Sequence, residues 1–249
     1  MRYNSDGSLD RTFDSARTNS LNGGSNYQEN GAAVGLDGNV QIYDCELSVL
    51  DNYSGASLSL ARHGGANSLD VYSGAGIAAG QASGSVTVSS TVIGTYAYAA
   101  GALTLTFNGS ATQSRVNQAL QSLAYSNSSD VPPASVQMDW TFNDGNTGSQ
   151  GTGGALTATG STTIQINTVN DAPLLADREV TLTSYSEDKI DPAGVIVSDL
   201  LSTDFSDPDL TTLSGVAINS TSISNGKWQY SLDAGESWAD VGTVSSGSA

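Results

Sequence analysis

Cysteine occurs once in this chain, at Cys45, so no disulfide can close within it, and stability must come from a buried core or from bound metal. Basic residues are also scarce: 8 Lys and Arg stand against 25 Asp and Glu, a formal net charge of −17 over 249 residues. That balance argues against nucleic acid as a partner, because phosphates are held by Lys and Arg, and against an anionic membrane surface for the same reason. No run of 18 apolar residues occurs, so no membrane insertion is expected. The opening, MRYNSDGSLDRTFD, has no apolar signal-peptide core; either another signal directs export or the chain is a piece of something longer. Histidine too occurs once, at His63, which rules out a multi-histidine zinc site. No G-x-S-x-G elbow supports a Ser-His-Asp triad, and His63 reads as a polar turn residue. The glycine-rich GSQGTGG lacks the Lys-Ser/Thr of a phosphate loop and reads as a long hairpin connection. Cys45 sits between Asp44 and Glu46, an acidic setting unsuited to a nucleophilic thiolate, and reads as a small strand-end residue.

Ser, Thr, Asn and Gly fill the space left by 13% charged and 38% hydrophobic residues, without the long charged runs of a disordered chain. Between the polar residues, Val, Ile, Leu and Tyr alternate, which predicts an all-β chain with many turns. AAVGL, VQIYD, ASLSLAR, LDVYS, GSVTVSSTVIGTYAYAAGALTLTF, SVQMDWTF and STTIQINTV all read as strands. SATQSRVNQALQSLAYS does not alternate. Its Val116, Leu120 and Leu123 fall at helical spacing, so it predicts one short helix across a sandwich, followed by a strand near Leu123–Tyr125. Pro132 and Pro133 then end both patterns.

Residues 1–14 form a compact motif around Asp6-Gly7, with Tyr3, Leu9 and Phe13, and resemble the end of a preceding array of short bacterial repeats. Residues 15–26 read as a polar linker, 27–169 as a first β unit, 170–173 (Asn-Asp-Ala-Pro) as a hinge, and 174–249 as a second unit. The second unit holds EVTLTSY, GVIVSDLL, GVAINSTS, KWQYSLD and WADVGTV, and is expected to be truncated, lacking its last strands.

The acidic residues repeat in order. Glu29 precedes Asp44 and Glu46 in the first unit, and Glu187 precedes Asp207 and Asp209 in the second. Asp144 adds a carboxylate at a strand-to-turn junction, and Asn170 and Asp171 lie in the hinge. Calcium takes six to eight oxygens, more than any one of these segments supplies. Three segments brought together would suffice: an early Glu, the Asn-Asp hinge and the next Asp-x-Asp. The plainer reading is that each is an ordinary polar turn, or that the acidity serves solubility alone.

VNDAP followed by a later Asp-x-Asp resembles the cadherin-like tandem repeats of giant bacterial surface proteins. ENGAAVGLDGNVQIYDCEL and DNYSGASLSLAR resemble the opening of such a repeat, and AYSNSSDVPPASVQMDWTFNDGN and TATGSTTIQINTVNDAP its close. The second unit resembles a sibling repeat, and the likeness covers most of residues 27–245. The resemblance implies immunoglobulin- or cadherin-like β-sandwich repeats with calcium at the ends of each unit. Glu29, Asn170 and Asp171 would then meet Asp207 and Asp209 at the joint, and Asp44, Glu46 and Asp144 would form the equivalent half-site at the outer end. Cys45 is a departure from the pattern, as is the missing second-unit counterpart of FNDGN. The implied function is a non-catalytic spacer and adhesion repeat at the bacterial cell surface, whose partners are neighbouring repeats and a surface glycan or protein. A carbohydrate-binding module on the same sandwich is the alternative, with Trp228, Tyr230 and Trp238 as a face, although alternation in KWQYSLD puts Trp228 and Tyr230 in a core. Asp139 and Asp144 flank Trp140 in the manner of a glycosidase pair, but their places on a strand and its turn already explain them.

Overall fold

The computed structural model describes residues 19–147, 154–176, 179–190, 192–223 and 225–247. The expected repeat end at 1–14 and most of GSQGTGG lie outside them. The chain is mostly β, with few helices, and divides into two compact units that meet in sequence at Val169 and Asn170.

The first unit runs β1 (Asn22–Gln28), β2 (Val34–Gly35), α1 (Cys45–Leu50), β3 (Ser57–Arg62), β4 (Asp70–Ser73), β5 (Ser83–Val88), β6 (Thr91–Ala99), β7 (Ala102–Phe107), α2 (Gln113–Gln121), β8 (Ala124–Asn127), β9 (Ser135–Asn143) and β10 (Thr157–Asn167). Seven strands form one sheet in the order β1-β10-β9-β3-β7-β6-β5, and β2-β8-β4 form a second, three-stranded sheet. Every neighbouring pair is antiparallel except β1 and β10, which run parallel from Asn22↔Ser161 to Gln28↔Asn167.

Alternation builds the large sheet. Val136, Met138, Trp140 and Phe142 on β9 point inward, and register places Leu58 between Phe142 and Leu105, and Leu60 between Trp140 and Leu103. Each such side chain contributes about 1.5–3 kcal/mol when fully buried. Trp140 satisfies its indole by donating to Thr162 Oγ1 at 2.9 Å, so the polar end costs little inside the core. The core also takes Tyr72 and Tyr125 from the small sheet, Leu47 from α1, and Val116, Ala119 and Leu120 from α2. Thr112 caps α2 by accepting from the Arg115 N–H, and Val116, Ala119 and Leu120 share its inner face. This is the helix that the spacing predicts, and β8 follows it.

Several expectations fail for physical reasons. Residues 22–26, read as linker, belong to β1; Leu21 is core, and Ser20 bridges Gln41. The partner of β1 is β10, more than 130 residues away in sequence, so no local pattern announces the strand. VQIYD forms no strand: Val40 and Ile42 are buried in an extended segment leading to α1. The first unit therefore has two helices rather than one, and Cys45 is the first residue of α1, not a strand end.

The second unit contains β11 (Leu174–Leu175), α3 (Val197–Leu201), β12 (Phe205–Ser206), β13 (Gln229–Tyr230) and β14 (Ala239–Asp240). β11 pairs with β12 and β13 with β14, both antiparallel. EVTLTSY and GVAINSTS form no strand among the described residues, and GVIVSDLL supplies α3. No described residue of this unit is buried. Trp228, Tyr230 and Trp238 are each about half exposed, so the core expected around Trp228 and Tyr230 is not there. An alternating segment organises only where its apolar face has something to cover it.

Candidate functional site

Glu29 follows the last residue of β1, where its N–H donates to Asn167 O at 3.0 Å. Asn30 then takes a left-handed turn (φ 56°), and Gly31 closes it onto Gln28 O. The turn folds the Glu29 side chain inward, leaving the residue 2% exposed. Its Oε2 accepts from the Val169 N–H at 2.8 Å, tying the start of the first unit to its final residue. Its Oε1 is buried and has no hydrogen-bond partner. Water is excluded there, so an ionised carboxylate needs a cation or a further donor to offset a desolvation cost of several kcal/mol.

In the second unit, Asp209 Oδ2 accepts from the Asp171 N–H at 2.5 Å, and Asp207 Oδ1 accepts from the Asp209 N–H at 2.9 Å. Thr211 Oγ1 bonds Asp207 Oδ2, and Leu210 adopts φ 59° to complete the turn. Asn170 Nδ2 donates to Asp171 O at 3.0 Å. The Asn-Asp-Ala-Pro stretch and the later Asp-x-Asp, 38 residues apart, are thus brought together within this unit.

The remaining candidates stand elsewhere, each with structural work of its own. Asp44 is the N-cap of α1, its Oδ1 accepting from Glu46 N–H at 3.0 Å and Leu47 N–H at 2.8 Å, with Glu46 in the first turn. That is the arrangement a helix start favours. Asp144 is 5% exposed and stitches the β9–β10 connection, Oδ1 accepting from Asn146 N–H at 2.9 Å and Leu156 N–H at 3.0 Å. Gly145 beside it has φ 69°, and a Cβ there would lie 2.1 Å from Gly55 O, so glycine is required. Among the described residues, no three or more His, Cys, Asp or Glu side chains gather closely enough to hold a metal by themselves. Oxygens from backbone and amides would have to complete any calcium shell.

His63 is exposed and lies 2.7 Å from Asp139 Oδ2. Hydrogen bonding from Gln137 first, then from His63, holds the Asp139 carboxyl below its usual range. Sequence reasoning missed two buried acids. Asp37, 6% exposed, keeps one carboxylate oxygen without a partner. Asp70, fully buried, is the opposite case. Arg62 Nε donates to its Oδ2 at 2.8 Å and Nη2 to Oδ1, with Tyr125 Oη at 2.8 Å and Asn127 Nδ2 at 3.1 Å also on Oδ1. Its inward position on β4, next to Tyr72 on the same face, was the available clue. Burial first, and then the Asp70 charge, raise the Tyr72 and Tyr98 phenols; burial is also the main cause at Tyr125. Among the described residues, no helix is long and apolar enough to cross a membrane. No protein-family model, curated protein sequence or solved structure matches the chain.

Proposed function

We propose that the chain is a non-catalytic, calcium-braced segment of a large bacterial surface protein, built of cadherin-like β-sandwich repeats that serve as extracellular spacers. The observation that carries the reading is Glu29: a carboxylate 2% exposed, with one oxygen held by Val169 and the other buried without a partner, in a chain of net charge −17. Calcium supplies the missing counter-charge. Glu29 would be a ligand in the first unit; Asp171, Asp207 and Asp209, with the Asn170 amide, would be ligands in the second. Asp44, Glu46 and Asp144 are the weaker members of the set, because cap and turn hydrogen bonds already explain Asp44 and Asp144. Neighbouring repeats of the same protein are the partners, together with a surface glycan or protein.

The test is thermal unfolding in EDTA, in calcium and in magnesium. For an extracellular module with Kd on the order of 10⁻⁴–10⁻³ M, calcium at tenfold Kd adds about 1.4 kcal/mol per site. For a chain of this size that raises Tm by roughly 3–6 °C. Calcium is expected to give that rise, magnesium to give less, and Glu29→Gln to remove part of it. Coincident midpoints in all three buffers would leave the acidic turns as turns only.

A carbohydrate-binding reading is favoured by one observation, the exposure of Trp228, Tyr230 and Trp238 at 45–48%. Glycan-array binding lost on Trp228→Ala would support it; an array without hits would remove it.

A further inference from the structure

We infer that the first unit carries a second divalent-cation site at Asp37, on the flank of β1 and separate from Glu29. The site is a cavity of about 330 Å³ lined by Asp37, Asn22, Asn39 and the glycines beside them. Asp37 Oδ1 accepts from the Asn39 N–H at 3.0 Å, which fixes the carboxylate. Oδ2 is buried and unpartnered on a residue 6% exposed, and no basic side chain lines the cavity. A buried, unpartnered carboxylate oxygen on a residue that lines a cavity without a protein cation calls for a bound one.

Neutral oxygens are at hand to complete a shell. The Leu36 carbonyl oxygen lies 2.7 Å from where a side chain at position 23 would begin, and Asp37 Cβ lies 2.9 Å from the same point. Gly23 therefore lets the β1 backbone approach the acid closely. Asn22 and Asn39 line the same space. The cavity has room for roughly ten waters, so an ion would enter with part of its hydration retained. One carboxylate with carbonyl and amide oxygens suits calcium, weakly held at about 10⁻³ M, better than magnesium with its stricter octahedron. The site is about 20 Å along β1 from Glu29, six residues at strand rise. Its occupancy would staple the start of an edge strand, two of whose residues are Gly23 and Gly24, to the segment after β2.

The inference does not depend on the spacer reading, and its test separates the two. Hydrogen–deuterium exchange of the 249-residue chain is followed at the amides of residues 22–25, in EDTA and in 10 mM calcium, for the wild type, Asp37→Asn and Glu29→Gln. In the wild type calcium is expected to slow exchange there about tenfold, the protection given by a ligand at tenfold its Kd. Glu29→Gln keeps the effect and Asp37→Asn loses it. In EDTA, Asp37→Asn unfolds at the same temperature as wild type or higher, because Asn keeps the turn and sheds an unpaired charge. Calcium that leaves these amides unchanged in the wild type, equal slowing in Asp37→Asn, or a lower midpoint for Asp37→Asn in EDTA would each overturn the site.

Discussion

Asp70 and Glu29 are both buried carboxylates, yet four donors reach the carboxylate of Asp70 and one reaches that of Glu29. The molecule satisfies Asp70 with its own Arg62, so removing one partner strands the other. Asp70→Asn is expected to cost about 3 kcal/mol, since it leaves Arg62 mostly buried without its counter-charge. Urea unfolding with and without calcium measures this, and the loss should be the same in both. The surrounding phenols give a pH signature. Tyr72, Tyr98 and Tyr125 have folded pKa values raised above the ordinary tyrosine value of about 10. A raised value favours the neutral form in the folded state, so this contribution is full below pH 10 and is lost as pH rises through the folded values. Ultraviolet titration should show Tyr72 and Tyr125, both fully buried, ionising only with unfolding; a smooth titration of these two near pH 10 with the fold intact would contradict their burial.

At the scale of elements, legibility followed the range of the interactions. α2 was readable from Val116 and Leu120, and β3, β7 and β9 from strict alternation, because in each the buried face is written in consecutive residues. β1 was not readable: Gly23 and Gly24 have no strand preference, and a parallel ladder to β10 holds them. Glu29 was found from the order of acidic residues, but the burial that gives it meaning comes from tertiary packing, and Asp37 escaped for the same reason. α1 was hidden because Asp44-Cys45-Glu46 reads equally as a ligand triplet or a helix start. Those two roles separate experimentally. As a cap, Asp44→Ala should cost about 1 kcal/mol and Asp44→Asn only a few tenths, both in EDTA. As a calcium ligand, Asp44→Asn would instead lower the calcium-induced rise in Tm while leaving the EDTA midpoint unchanged. Differential scanning calorimetry in the two buffers gives both numbers.

Across the whole molecule, burial is confined to the first unit among the described residues, while large apolar side chains such as Leu232 and Ile190 in the second stand exposed. Amide exchange should reflect that contrast: β3, β9 and β10 protected at least about a thousandfold more than β13 and β14. Comparable protection in both units would mean that the second has a core of its own in solution. The parallel ladder between β1 and β10 has a consequence of a different kind. Tension applied at residue 19 and at Val169 draws β1 toward its own beginning and β10 toward its own end, in opposite senses along a seven-residue register. The backbone bonds of that ladder are then loaded together in shear instead of being unzipped one by one. A stretched chain would thus meet its stiffest resistance at the two strands that open and close the first unit.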